Sequence, residues 1–188
     1  MHTALAIKAY IYRKTLYTNW LISYLSDSII GIVLEKHRDV VLVTGGTQGL
    51  GRQIVLEFLK RGVQRIVVFD IKEPAEKHRL DGVYYYQCDV SDKNEVLEMS
   101  EKVKSQIGIV TVVINNAGIT SGKSFIDLSL EEIEKIIQVN LMSNFYINKA
   151  FLPDMLDLKR GYIITVASVL GYMSPSNLGM YFLKFYFR

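Results

Sequence analysis

A chain of 188 residues, 49% hydrophobic and 22% charged, can bury one sizeable core and is too apolar to be disordered. Its net charge of +3 comes from scattered lysines and arginines, which argues against a nucleic-acid partner. The single cysteine, Cys88, excludes an internal disulfide framework. No metal is assigned, and neither repeats nor low-complexity tracts are visible.

Residues 1–38 read as a segment apart. Between Leu16 and Leu34 the only charge is Asp27, and the stretch approaches the ~20 apolar residues of a spanning helix. Lys8, Arg13 and Lys14 precede it, and Trp20 with its neighbouring tyrosines suits a headgroup interface. Asp27, Asn19 and the serines disfavour full insertion, and no small-residue cleavage site marks a signal peptide. Two readings stand: a membrane-associated anchor, lying in the interface rather than spanning, or an amphipathic helix packed on the following domain.

Residues 39–188 read as one domain. Val40 to Val43 is a short β-branched run that suits a strand buried on both faces, and it ends at Gly45-Gly46. A helix follows with Ile54, Val55, Phe58 and Leu59 on one face and Gly62 as its stop. Ile66–Phe69 is a second strand, ending at Asp70, and Val83–Gln87 a third. A helix from about Ser91 presents Val96, Leu97, Met99 and Val103 for packing. Val110–Ile114 is a fourth strand, ending at Asn115-Asn116. Ser129 and Glu132 form a capping box that opens a long helix, with Ile133, Ile136, Ile137, Asn140, Leu141 and Asn144 on one face. Tyr162–Val166 is a fifth strand, ending at Ala167-Ser168.

Strands alternating with helices imply right-handed βαβ units: an α/β, doubly wound parallel sheet of the Rossmann type. Five strands are fewer than the roughly six of the usual doubly wound sheet, so the fold reads as incomplete at its C-terminal end.

The motif Thr44-Gly45-Gly46-Thr47-Gln48-Gly49-Leu50-Gly51 follows a strand and opens a helix. Glycines there let the backbone turn sharply and approach a pyrophosphate, and the helix N-terminus offers its N–H groups to it. A tight structural turn is the alternative. Asp70 ends the second strand 19 residues after Gly51. A carboxylate there hydrogen-bonds ribose hydroxyls and repels a 2′-phosphate, and no basic residue sits in the glycine loop. NAD(H) is therefore favoured over NADP(H), with a merely solvated strand-end aspartate as the alternative.

TGGTQGLG, the Asp70 strand end, Cys88-Asp89-Val90, Asn115-Asn116-Ala117-Gly118, Val139-Asn140 and Ser168 with Tyr181 together resemble the short-chain dehydrogenase/reductases, from about Asp39 to Tyr181. The apolar N-terminal segment and the run around Ser168 look most like the membrane- and lipid-droplet-associated members that act on retinoids, steroids or other lipid alcohols. The resemblance implies that Asp89, beside Val90, hydrogen-bonds the adenine, and that Asn116, Ala117 and Gly118 line the cofactor cleft. It implies that Asn140 anchors a water of a proton relay, that Ser168 polarises the substrate oxygen, and that Tyr181 is the general acid/base. It also implies a lipid-like alcohol or ketone as substrate, a homodimer, and attachment to endoplasmic reticulum or lipid droplet with the domain in the cytosol; a cytoplasmic location is the alternative.

A tyrosine of pKa near ~10 needs a neighbouring cation to act at neutral pH. In the family a lysine one helical turn further on supplies it. Here Phe185 holds that position and Lys184 stands three residues after Tyr181, a displacement of about 100° around a helix. The aromatic tail Met180–Arg188 reads as the end of a truncated frame or a retained-intron product, leaving the fifth strand at a sheet edge. A catalytically impaired NAD-binding relative is therefore the competing function.

Overall fold

The computed structural model describes residues 35–168 and the backbone of residues 7–9. In chain order the elements are β1 (Ile7–Ala9), β2 (Val40–Thr44), α1 (Gly49–Lys60), β3 (Arg65–Asp70), β4 (Val83–Gln87), α2 (Lys93–Gln106), β5 (Val112–Asn115), α3 (Leu130–Ile137), α4 (Ser143–Asp157) and β6 (Tyr162–Ser168). The strands form one sheet in the order β1-β6-β5-β2-β3-β4, with every pairing parallel. The chain winds outward from β2 through β3 to β4, then crosses to β5 and β6 on the other side. This is the doubly wound sheet that the strand–helix alternation predicts.

All five residues of β2 are buried, as a central parallel strand with helices on both faces requires. One face carries Val41, Val43, Ile66, Val68 and Ile114 against Ile54, Val55 and Phe58 of α1. The other carries Val40, Leu42, Val67, Phe69 and Val113 against Val96 and Val103 of α2 and Ile147, Phe151 and Met155 of α4. Gly62, at φ +83°, turns the chain out of α1 as its position predicts. On α2 the expectation for Leu97 is corrected: it is 51% exposed, because Val96, Ser100 and Val103 set the inward face and Leu97 falls one residue around the helix.

The capping box forms: Ser129 Oγ accepts from the Glu132 amide at 3.2 Å, and Glu132 Oε2 accepts from the Ser129 amide at 3.0 Å. The single long helix expected after it is interrupted, however, by a π turn over Gln138–Met142. The extra residue rotates everything downstream, so the buried set is Ile136, Val139, Asn140, Ser143 and Ile147 rather than one uniform stripe.

Below the sheet, at the starts of the strands, an ionic knot ties three segments. Asp39, 1% exposed, accepts from Arg160 Nε at 3.0 Å and Nη2 at 2.8 Å, and from Thr111 Oγ1 at 2.8 Å. Burial alone would raise the Asp39 pKa, but the hydrogen bonds from Arg160, Thr111 and the Glu35 amide outweigh it and hold the carboxyl below its ordinary value. Residues 36–38 join this floor through Gln64 N to Lys36 O and Arg65 Nη2 to His37 O and Arg38 O.

The fifth strand of the domain is not left at an edge. Ile7, Lys8 and Ala9 pair in parallel with Val166, Ala167 and Ser168 of β6. The sequence pattern gives no hint of this strand, which is too short to display a period. The apolar run 16–34 and the tail 169–188 lie outside the described residues. Among the described residues no helix is long and apolar enough to cross a membrane.

Candidate cofactor site

Parallel strands all end on the same side of a sheet, so the turns after β2, β3, β4 and β5 and the end of β6 gather along one rim. The winding reverses between β2 and β5, which opens a crevice there. A cleft of about 390 Å³ lies along this rim. The glycine loop, Asp70, the Cys88–Val90 turn, the Asn116–Ile119 turn, Lys135 and Val139, and the end of β6 line it.

The loop is built for close approach. Gly45, at φ +66°, donates its amide to Phe69 O at 2.7 Å, and a Cβ on it would stand 3.0 Å from Ala117 Cα. A Cβ on Gly51 would meet Gly45 O at 2.1 Å and Asn116 Nδ2 at 2.6 Å, so only glycine fits beneath the turn. Gly46 faces the other way and packs on Val68, where a Cβ would lie 2.9 Å from both methyls. Gly49, at φ +55°, has nothing within 4 Å of where a Cβ would be, so the start of α1 is uncrowded there. Gln48, Leu50 and Gly51 border the cleft, while Thr44 is buried behind it. Thr44 Oγ1 accepts from the amides of Asn116 and Ala117 at 3.0 Å each, and Asn116 Nδ2 donates to Thr44 O and Gly45 O. Thr44 and Gly46 therefore shape the loop through these contacts.

Two carboxylates flank the rim, and their surroundings differ. Asp70 Oδ2 accepts from the Thr47 amide at 3.1 Å and from Thr47 Oγ1 at 2.7 Å. Both donors are neutral, and among the described residues no lysine or arginine pairs with Asp70. Asp89 instead accepts from Lys135 Nζ at 2.8 Å and from Ser91 N and Oγ at 2.9 and 2.5 Å. Burial would raise its pKa, yet the bonds from Lys135 and Ser91 hold it below the ordinary value. Between them Cys88 is fully buried, and desolvation, helped by Glu95, Asp89 and Asp92, pushes its thiol up to about 12.

The Asn140 side chain is engaged at both of its polar atoms. Its Oδ1 accepts from the Ile119 amide at 2.8 Å and its Nδ2 donates to Ile119 O at 2.9 Å. The Asn140 carbonyl, displaced by the π turn, accepts from Asn144 Nδ2 at 3.1 Å. The side chain thus fastens the turn after β5 to the helix. Ser168 ends β6 at the rim; its side chain, and all of Tyr181 and Lys184, lie outside the described residues.

The rim fits a dinucleotide: a loop where a Cβ would collide, an uncrowded helix start and a strand-end carboxylate occupy one crevice. Lys135, Ile119, Phe69 and Cys88 also border it, and sequence reading does not single them out as lining. Lys135 sits in the last turn of a short helix rich in charged residues, which gives no sign that it reaches back to Asp89.

The short chain dehydrogenase family profile matches residues 39–182. Short-chain dehydrogenase/reductase 3 of Bos taurus is 37% identical over 153 residues, covering 75% of this chain and 51% of that protein. Human 17-beta-hydroxysteroid dehydrogenase 13 is 37% identical over 162 residues, covering 80% and 53%. Among solved structures, ligand-free aldohexose dehydrogenase of Thermoplasma acidophilum superposes with a TM-score of 0.72 at 28% identity, covering 80% of this chain and 57% of that one. The chain thus spans about half the length of the curated relatives it matches. With the doubly wound sheet and the glycine-built crevice at its switch point, these matches place the chain in the short-chain dehydrogenase/reductase family.

Proposed function

We propose that the chain supplies the NAD(H)-binding part of an oxidoreductase that moves a hydride between NAD(H) and a lipid-like alcohol or ketone, such as a retinoid, steroid or fatty alcohol. The observation that carries the cofactor choice is Asp70: its Oδ2 is tied to Thr47 while its charge stays uncompensated at the rim. Such a carboxylate accepts from ribose hydroxyls and repels a 2′-phosphate. When bound, the nicotinamide supplies the hydride acceptor or donor. The chain's own residues hold it: amides of the Gly45–Gly51 loop meet the pyrophosphate, Asp89 and Val90 border the adenine, and Asn116, Ala117 and Gly118 border the ribose and nicotinamide side.

Proton handling falls by resemblance to Ser168 and Tyr181, with Lys184 the nearest lysine in sequence to the family's position, while Asn140 fastens the turn after β5 to its helix. The lipid-like substrate rests on the likeness to a protein named for hydroxysteroid oxidation and on the apolar segment 16–34. That segment is proposed to seat the domain on the cytosolic face of the endoplasmic reticulum or a lipid droplet, and self-association to a homodimer is proposed with it.

The test is a fluorescence titration of the full chain with NADH and NADPH, followed by turnover against a panel of steroid, retinoid and long-chain alcohols. Tighter NADH binding with turnover that is lost in Tyr181→Phe supports the proposal. Binding without any turnover identifies the catalytically impaired relative instead, and tighter NADPH binding refutes the cofactor assignment.

A further inference from the structure

The two rim carboxylates differ in one respect that bears on selectivity. Asp89 is neutralised by the Lys135 ammonium across the cleft, whereas Asp70 is positioned by uncharged donors alone. Both donors come from one residue, and both converge on one oxygen, Oδ2. The second oxygen, Oδ1, takes part in neither of these bonds. The loop that carries Thr47 is itself fixed to the same strand end by Gly45 N to Phe69 O at 2.7 Å and by the packing of Gly46 on Val68. Thr47 therefore grips a carboxylate from a rigid mount and leaves its full negative charge in place.

We infer that Thr47 is a specificity-determining residue: its hydroxyl locks Asp70 so that the carboxylate cannot swing aside for a 2′-phosphate. An aspartate held by a lysine would be oriented but half neutralised; one held by nothing could rotate away from a phosphate at small cost. A threonine clamp gives both orientation and charge, and the discrimination depends on having both together. Valine at position 47 keeps the shape and the amide bond but removes the hydroxyl. Serine keeps the hydroxyl.

This inference rests on the NAD(H) reading above, and the experiment separates the two. The full chain and its Thr47→Val, Thr47→Ala and Thr47→Ser variants are titrated with NADH and with NADPH by fluorescence, and the ratio of the two dissociation constants is compared. Loss of one hydrogen bond to a charged acceptor should lower the preference for NADH by about tenfold in Thr47→Val and Thr47→Ala, with Thr47→Ser restoring it. An unchanged ratio in both the valine and alanine variants overturns the role of Thr47 while leaving the NAD(H) reading intact. A wild-type chain that prefers NADPH overturns the NAD(H) reading and this inference with it. Should Thr47→Val fold poorly, the exposed side of the loop leaves Thr47→Ala as the deciding variant.

Discussion

Asn140 and Ile119 hydrogen-bond each other twice: the amide oxygen takes the Ile119 N–H at 2.8 Å and the amide nitrogen gives to the Ile119 carbonyl at 2.9 Å. This pair welds the turn after β5 to the π turn in the helix and so fixes one wall of the crevice. Asn140→Asp can still accept but cannot donate, and it places a charge at a site 3% exposed. A loss of about 2–3 kcal/mol is expected from one orphaned carbonyl and one buried charge. Urea denaturation measures it, and a loss below about 0.5 kcal/mol, the scale of an indifferent surface change, would show that the pair is not structural.

The Asp39–Arg160 knot sets an acid limit on stability. A carboxyl whose folded pKa lies below its unfolded value near 3.8 stabilises the fold above that unfolded value. The contribution is lost as pH falls below 3.8 and through the lower folded pKa. Asp39→Asn should therefore lower stability by about 3 kcal/mol at pH 7 and flatten the pH dependence below 4. Thermal melts of wild type and variant from pH 3 to 7 check this; parallel curves would contradict it.

Two glycines two residues apart at the start of α1 are expected to behave differently. Gly51→Ala drives a methyl into Gly45 O and Asn116 Nδ2 and should weaken NADH binding at least about tenfold, because the loop must shift by the order of 1 Å. Gly49→Ala meets open space and incurs only left-handed backbone strain, about 1 kcal/mol. Paired titrations and melts distinguish them; equal effects would refute the collision argument.

Cys88 should be inert while the chain is folded. A buried thiol pushed up to about 12 holds almost no thiolate near neutrality. Ellman's reagent at pH 8 is expected to react only after urea unfolds the chain, and prompt labelling of the native protein would contradict the burial.

Much of this was legible in the sequence, for identifiable reasons. Val40–Thr44 and Arg65–Asp70 are β-branched runs ending in glycine or aspartate, so both the strands and the turns that carry the site announce themselves. Ser129 with Glu132 marks a helix start by local chemistry alone. The π turn was not legible, and the partner of its Asn140, Ile119, lies twenty-one residues away in sequence. Thr47 reads as a loop residue; only the fold brings its hydroxyl to Asp70 across 23 positions. Lys135 and Asp89, 46 positions apart, are joined by the same kind of long-range closure.

The central claim is that the glycine loop and Asp70 together hold NAD(H). Backbone amide shifts of nitrogen-labelled full chain, followed as NADH rises to millimolar concentration, test it most directly. The account predicts saturable shifts concentrated at Gly45–Gly51, Asp70 and Asn116–Gly118. Unmoved amides in that loop, in a chain that gives a dispersed folded spectrum, would contradict it.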